Sequence, residues 1–263
     1  MLKLIYRLFK FYGLSVMLLA ILIFFWELCV RYLDIPEWKL PAPSAILSEL
    51  LNNYPLFLTH TKVTAFEAIV GFLIALMLGT TLALVISISP LLRRAIYPII
   101  IASQTIPTIV IAPLLLIWIG YGVTPKVVTV VLLTFFPIVV STVDGLRSVD
   151  RDIIRVMLTT GANPFQIFIK VRLPASLPSV FSGMKISATF CVIGAVVGEW
   201  IGSSEGLGYL TRVSVPLFLT ARSFAAVLVL ALMGTSFFLF ISLIELKLLK
   251  WKQISEIGFN RES

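Results

Sequence analysis

Residues 145–178 carry the spacing in this chain best suited to chemistry at a surface. Ser148 or Asp150 can cap a helix on which Ile153, Ile154, Met157 and Leu158 share one face. Gly161 then offers a conformationally free stop, as at a helix C-terminus. Asn163 begins a second helix, with Pro164 in its first position and Gln166 placed to return the capping bond. Phe165, Phe168 and Ile169 give that helix its own apolar stripe, and Leu173-Pro174 is expected to close the unit. Arg147, Arg151, Arg155, Lys170 and Arg172 add positive charge. The chemistry on offer is contact rather than catalysis. It suits equally a hairpin resting on lipid headgroups and a knob inserted in the cleft of a partner.

Covalent chemistry has few candidates. His60 is the single histidine, Cys29 and Cys191 lie inside apolar runs, and the acids are scattered. That excludes a multi-imidazole metal site, a disulfide framework and the clustered groups that an intramembrane enzyme needs. No Gly-Lys-Ser or Gly-Lys-Thr occurs, so the chain has no phosphate-binding loop and no cofactor is expected. Any ATP is hydrolysed by a partner.

The elements that must position the basic loop follow from composition. The chain has 263 residues, 59% of them hydrophobic and 13% charged, with a mean hydropathy of +1.04. A water-soluble chain carries about 25% charge. This much apolar surface requires lipid, and the expected fold is an all-α integral membrane domain with about six transmembrane helices. The spans fall roughly at 11–30, 64–88, 96–119, 127–143, 180–201 and 224–246. Pro107 and Pro113 mark the third as kinked or broken. The net charge of +8 does not indicate nucleic acid, because the basic residues flank apolar runs and no polar domain holds them.

Six spans put both termini on one side, together with the 145–178 loop. Fourteen of the 21 basic residues fall there, among them Lys3, Arg7, Lys10, Arg93, Arg94, Lys247, Lys250, Lys252 and Arg261. Lys185 sits just inside a span on that side, and Arg31, Lys39, Lys62, Lys126, Arg212 and Arg222 lie opposite. The bias makes both termini cytoplasmic. Outside, Pro43 and the run Ser44–Leu51 suggest a short surface helix, read as a spacer on the membrane or as part of a docking surface.

Within the spans, small residues recur at Gly71, Ala75, Gly79 and Ala83, and at Gly194, Gly198 and Gly202, which favours close helix packing over solute contact. Gln104 and Thr105 are polar in an apolar run; Gln104 should face the bundle interior, lining a pathway or tying helices together. Glu27 and Glu67 are expected to snorkel or to pair with a basic neighbour. Glu199 and Trp200 close the fifth span, Trp200 as an interfacial anchor, and Ser203–Gly208 reads as a flexible loop. Gln104, Thr105, Gly194, Gly198, Glu199 and Trp200 are the candidate pathway or gate residues.

Several motifs resemble the inner-membrane permeases of binding-protein-dependent ABC importers. In that family the cytoplasmic loop reads Glu-Ala-Ala, three residues, Gly-Ala, then about nine residues before an aliphatic residue and Leu-Pro. Here Gly161-Ala162 and Leu173-Pro174 match in spacing, while Arg155, Val156 and Met157 replace the Glu-Ala-Ala. Leu40-Pro-Ala-Pro-Ser44, Ser103-Gln-Thr-Ile-Pro107, Ala112–Trp118, Phe135-Phe-Pro137 and Gly198-Glu-Trp200 resemble the branch importing nitrate, taurine, alkanesulfonates and thiamine pyrimidine precursors.

The resemblance implies a type I importer permease in the bacterial inner membrane. It implies two permease subunits, as a homodimer, two ABC ATP-binding subunits beneath, and an extracytoplasmic substrate-binding protein. Arg155, Met157, Gly161, Ala162, Asn163, Pro164, Phe165, Phe168, Leu173 and Pro174 would form the coupling contact with the ATPase. The Glu199–Gly208 stretch is most similar to pyrimidine-precursor members, and the spans show no ring of internal Lys or Arg that would favour an anion. A thiamine pyrimidine precursor or related heterocycle is therefore the expected solute, with sulfonate, taurine or nitrate as the alternative. A secondary transporter would show inverted repeats and midplane charges, and neither is evident. A passive scaffold would not need the loop motif.

Overall fold

Long apolar segments with few helix breakers fold as single helices, because lipid leaves their backbone groups no other partner. The computed structural model describes residues 2–249, with side chains from Gly13 onward. The side chains of Lys3, Arg7, Lys10, Lys250, Lys252 and Arg261, counted above toward orientation, lie outside the described residues. The described chain is helical, without strands: α1 (Leu2–Tyr32), α2 (Pro43–Asn52), α3 (Tyr54–Ile88), α4 (Pro90–Ser103), α5 (Thr108–Ile119) and α6 (Val123–Arg147). After these come α7 (Arg151–Thr159), α8 (Pro164–Ile167), α9 (Leu173–Gly202), α10 (Leu207–Ser214) and α11 (Thr220–Leu248).

Five runs are long and apolar enough to cross a membrane, and α4 with α5 makes a sixth, bent by 95° at its break. The break falls at Gln104–Pro107, with Pro113 accommodated inside α5. This pair is a broken span rather than a re-entrant loop. Pro90, at its start, lines a cavity with Ile88 and Arg147, whereas Tyr121, just past its end, lines one with Lys126 and Gly202 at the opposite ends of α6 and α9.

Helix α6 lies between α3 and α9, and the bundle is organised around it. Glycines let the backbones approach. A Cβ at Gly71 or Gly194 would collide with Val130, one at Gly79 with Ile138, and one at Gly198 with the Lys126 backbone. The small-residue spacing therefore serves packing.

Three boundaries differ from the sequence expectation. Helix α3 begins at Tyr54 rather than near Thr64, and His60 and Thr64 on its early turns are satisfied inside the protein. Helix α6 extends beyond 127–143 at both ends. Leu173-Pro174 does not close the loop unit: α8 passes through a π-helical turn, Phe168–Arg172, directly into α9, giving one 39-residue run from Pro164 to Gly202. The wider turn places the Leu173 N–H on the Phe168 carbonyl. It thereby absorbs a proline that lacks a donor and would crowd an ordinary α-helix.

At the end of the bundle away from Gly161, α2 and α10 lie across the helix ends. Ile46, Phe57, Leu207, Leu210, Ala225 and Ala226 form their common core. Helix α2 is thus packed into the domain, and Glu49 ties it to Arg222 of α11 at 2.7 Å.

Candidate functional site

Two regions concentrate the polar chemistry. The first is the elbow joining α7 to α8. Asp150, not Ser148, caps α7, its carboxylate accepting from the Asp152 N–H at 2.9 Å. The helix ends with Gly161 at φ 83°. The Gly161 N–H donates to the Leu158 carbonyl and the Ala162 N–H to the Met157 carbonyl, each at 3.0 Å. These two bonds form a Schellman closure, whose left-handed residue is best served by glycine. Asn163 then accepts from the Gln166 N–H at 2.8 Å while the Gln166 side chain accepts from the Asn163 N–H at 3.0 Å. The elbow is therefore fixed by its own backbone.

Apart from the buried Ile167, its side chains are exposed or half-buried. No residue of α7 is buried, and Phe165 is 69% exposed. Met157, Ala162, Phe168 and Pro174 are half-buried, and Leu173 is exposed. Among the described residues Arg155 pairs only with Asp152, at 2.9 Å and in the open. Among the described residues this apolar face is left largely uncovered on a turn with a fixed shape.

The second region lies at the other end of α9. Glu67 of α3 and Glu199 of α9 are completely buried, with Lys126 of α6 between them only 6% exposed. Lys126 ion-pairs with Glu67, which finds no other hydrogen-bond partner among the described residues, and donates to the Ser203 hydroxyl at 3.0 Å. Glu199 accepts from the Thr64 hydroxyl at 2.6 Å and from the Gly208 N–H at 2.5 Å. The Leu207 N–H donates to Thr64 Oγ1 at 2.8 Å and the Gly206 N–H to His60 Nδ1 at 2.9 Å. The free N–H groups that open α10 are thus satisfied by side chains of α3 and α9, since Gly206 has no side chain to cap it. Glu27 does the same for α2, accepting from the Ser44 N–H at 3.0 Å and pairing with Arg31.

This geometry corrects several expectations. Of the two readings of Glu67, snorkelling falls and pairing with a basic neighbour holds, inside the bundle with Lys126. Lys126, expected among the basic residues between spans on the opposite side, is a buried side chain of α6. Ser203–Gly208 is not a free loop. Arg212 donates to the Trp200 and Ser203 carbonyls, Gly206 adopts φ 107°, and a Cβ there would overlap the Glu199 carboxylate. Gly194 and Gly198 press on α6 and present no lining surface. Gln104 and Thr105 stand exposed at the break of α4 and α5, not turned into this chain's bundle, since the bend carries them off it. Trp200 donates to Thr211 Oγ1 at 3.2 Å and borders an apolar cleft with Ile109 and Gly234.

Sequence reasoning missed His60, Thr64, Glu67 and Lys126 as one cluster with Glu199. The available signal was polarity without loop residues: Thr59, His60, Thr61, Lys62, Thr64 and Glu67 continue a helical run free of Gly and Pro. Beside the cluster, a cavity of about 910 Å³ opens outward, lined by Lys62, Glu67, Tyr121, Lys126, Glu205 and Arg212 among others. Such a mixed-charge mouth can receive a small polar solute.

Residues 71–250 match the family described as binding-protein-dependent transport system inner membrane component. Over 229 residues the chain is 39% identical to the formylaminopyrimidine transport permease protein ThiX of Halalkalibacterium halodurans, covering 87% of this chain and 91% of that protein. It is 34% identical over 242 residues to the riboflavin transport system permease protein RibX of Chloroflexus aurantiacus, covering 91% and 90%. Among solved structures, inward-facing MetNI methionine ABC transporter aligns with TM-score 0.59 at 18% identity, over 72% of this chain and 96% of that chain, a likeness of fold.

Proposed function

Because the chain belongs to the family of binding-protein-dependent transport system inner membrane components, we propose that it is the pathway subunit of an ATP-driven importer for a formylaminopyrimidine-like heterocycle. Two copies form the pathway, both termini are cytoplasmic, ATP-binding subunits dock at the α7–α8 elbow, and a substrate-binding protein delivers solute at the Glu199 end. The 39% identity over nearly the full length to a formylaminopyrimidine permease carries the solute class. The riboflavin relative, also a carrier of a nitrogen heterocycle by name, agrees with it.

The transmission follows from α9. One end of the Pro164–Gly202 run emerges from the elbow; the other holds Glu199 against the first turn of α10. A partner that shifts the elbow shifts this helix against α3 and α6, and the Glu199–Thr64 and Glu199–Gly208 bonds are where that shift is resisted. ATP-driven closure of the ATPase pair and its release on hydrolysis would alternate the two ends between states. The glycine contacts with α6 provide smooth surfaces for such sliding.

Reconstitution with the cognate ATPase and binding protein tests this reading. Formylaminopyrimidine should stimulate ATP hydrolysis at least severalfold, whereas taurine or an alkanesulfonate should not. Stimulation by the sulfonates alone would transfer the subunit to the other branch. Docking and stimulation both unaffected by Gly161→Pro would remove the elbow from the mechanism.

A further inference from the structure

A second polar cavity, of about 470 Å³, lies at the Gly161 end of the bundle. Four guanidinium-bearing residues line it: Arg93 of α4, Arg147 of α6, Arg151 of α7 and Arg172 of the π-helical turn. No acidic residue lines it. Among the described residues none of the four side chains makes an ion pair or a hydrogen bond, and the Arg172 Nε is buried without a partner. Four cations gathered from four separate elements repel one another, and a buried N–H without an acceptor is costly. The arrangement is relieved by an anion.

The first turns of α4 and α7 border the same space, since Ser89, Pro90 and Arg151 line it, with the Leu91 N–H capped by the Ser89 hydroxyl and the Asp152 N–H by the Asp150 carboxylate. Apart from Ser87, the remaining lining is apolar: Ile86, Ile88 and Leu146, from the last turns of two spans, Val149, and Ile154 of α7. The cavity therefore straddles the level at which apolar helix ends give way to polar surface, where lipid headgroups lie. Basic pockets at this level bind phosphate-bearing headgroups, and the planar guanidinium fork matches phosphate oxygens in pairs.

We infer that this cavity binds the phosphate headgroup of an anionic phospholipid from the adjacent leaflet, with Arg93 and Arg172 as inner ligands and Arg147 and Arg151 at the rim. The apolar wall receives the first carbons of the lipid. The inference is independent of which solute is carried. A lipid bound here joins α4, α6, α7 and the start of the long helix, so it would stiffen the elbow against the bundle.

The test is thermal unfolding of the full chain in neutral detergent, titrated separately with phosphatidylglycerol, phosphatidylcholine and inorganic phosphate. Phosphatidylglycerol should raise the melting temperature saturably and phosphatidylcholine should not. Arg172→Gln and Arg93→Gln should each weaken the apparent affinity about tenfold, Arg172→Lys less, and Arg94→Gln, on the neighbouring exposed position outside the cavity, should leave it unchanged. An equal shift from inorganic phosphate would show a soluble-anion site and overturn the lipid assignment. So would equal losses in Arg94→Gln and Arg172→Gln, which would mean diffuse surface charge. Displacement of bound phosphatidylglycerol on adding the ATPase subunit would also overturn it, giving the cavity to that partner.

Discussion

The elbow at Gly161 and the buried cluster at Glu199 sit at opposite ends of one long helix, yet they are built on different principles. At the elbow every restraint is short-range: Asp150 to Asp152, Met157 to Ala162, Asn163 to Gln166. Its side chains, apolar and basic, are left free. At the cluster the restraints join residues far apart in sequence: Thr64 to Glu199, His60 to Gly206, Lys126 to Ser203. There the side chains are consumed and the backbone of α10 depends on them. A turn that holds its own shape can be pushed as a unit by whatever touches it. A lock made of distant side chains comes apart when its helices move.

The largest expected effect tests the lock. Lys126→Met leaves Glu67 buried and uncompensated, and breaking such a pair costs about 3–5 kcal/mol. Unfolding of the variant in mixed micelles should show that loss, and the Lys126→Met/Glu67→Gln double variant should recover most of it. A single variant as stable as the parent would mean that the ion pair is not a structural joint. Next, Gly206→Ala forces a Cβ into the Glu199 carboxylate at a positive φ, for a loss of about 1–3 kcal/mol. Proteolysis between α9 and α10 should accelerate in that variant and not in Ser204→Ala, outside the lock.

Smaller effects belong to the elbow. Gly161→Ala has open space around its Cβ, so only backbone strain acts, about 1 kcal/mol. Global stability should hardly change while ATPase stimulation by solute falls, measured in the reconstituted complex. Asn163→Ala removes one cap, about 1 kcal/mol and local to α8, and hydrogen exchange of Gln166 should rise. Arg155→Ala breaks an exposed pair and should leave stability within about 0.5 kcal/mol. If Arg155→Ala nevertheless abolishes ATPase binding, the free side chains are the contact and the frame is only their support.

The same contrast explains what was legible in the sequence. Caps and helix stops are written in residues three or four apart, so Asn163, Gln166 and Gly161 could be read directly. So could the small-residue files, because a helix face repeats every few positions and Gly71, Gly79, Gly194 and Gly198 all met α6. The cluster could not, because its pairs are set by which helices touch. His60, read as part of the external segment, and Thr64 and Glu67, read as the outer end of a span, have partners on other helices that sequence spacing does not show. Lys126 looked like an external loop charge for the same reason. Pro174 misled in the opposite direction: proline ordinarily ends a helix, and only the wider π-helical turn before it explains why the chain ran on.

The break between α4 and α5 has a consequence for the life of the subunit before assembly. Gln104–Pro107 lies outside both helices, exposed on this chain, and irregular backbone is not stable against hydrocarbon. In a finished transporter that stretch must meet protein or water. The Gln104 and Thr105 N–H groups donate to the Ile101 and Ala102 carbonyls. A copy alone in the bilayer therefore sets a closed but polar turn against lipid, which protein or water would cover once it is assembled.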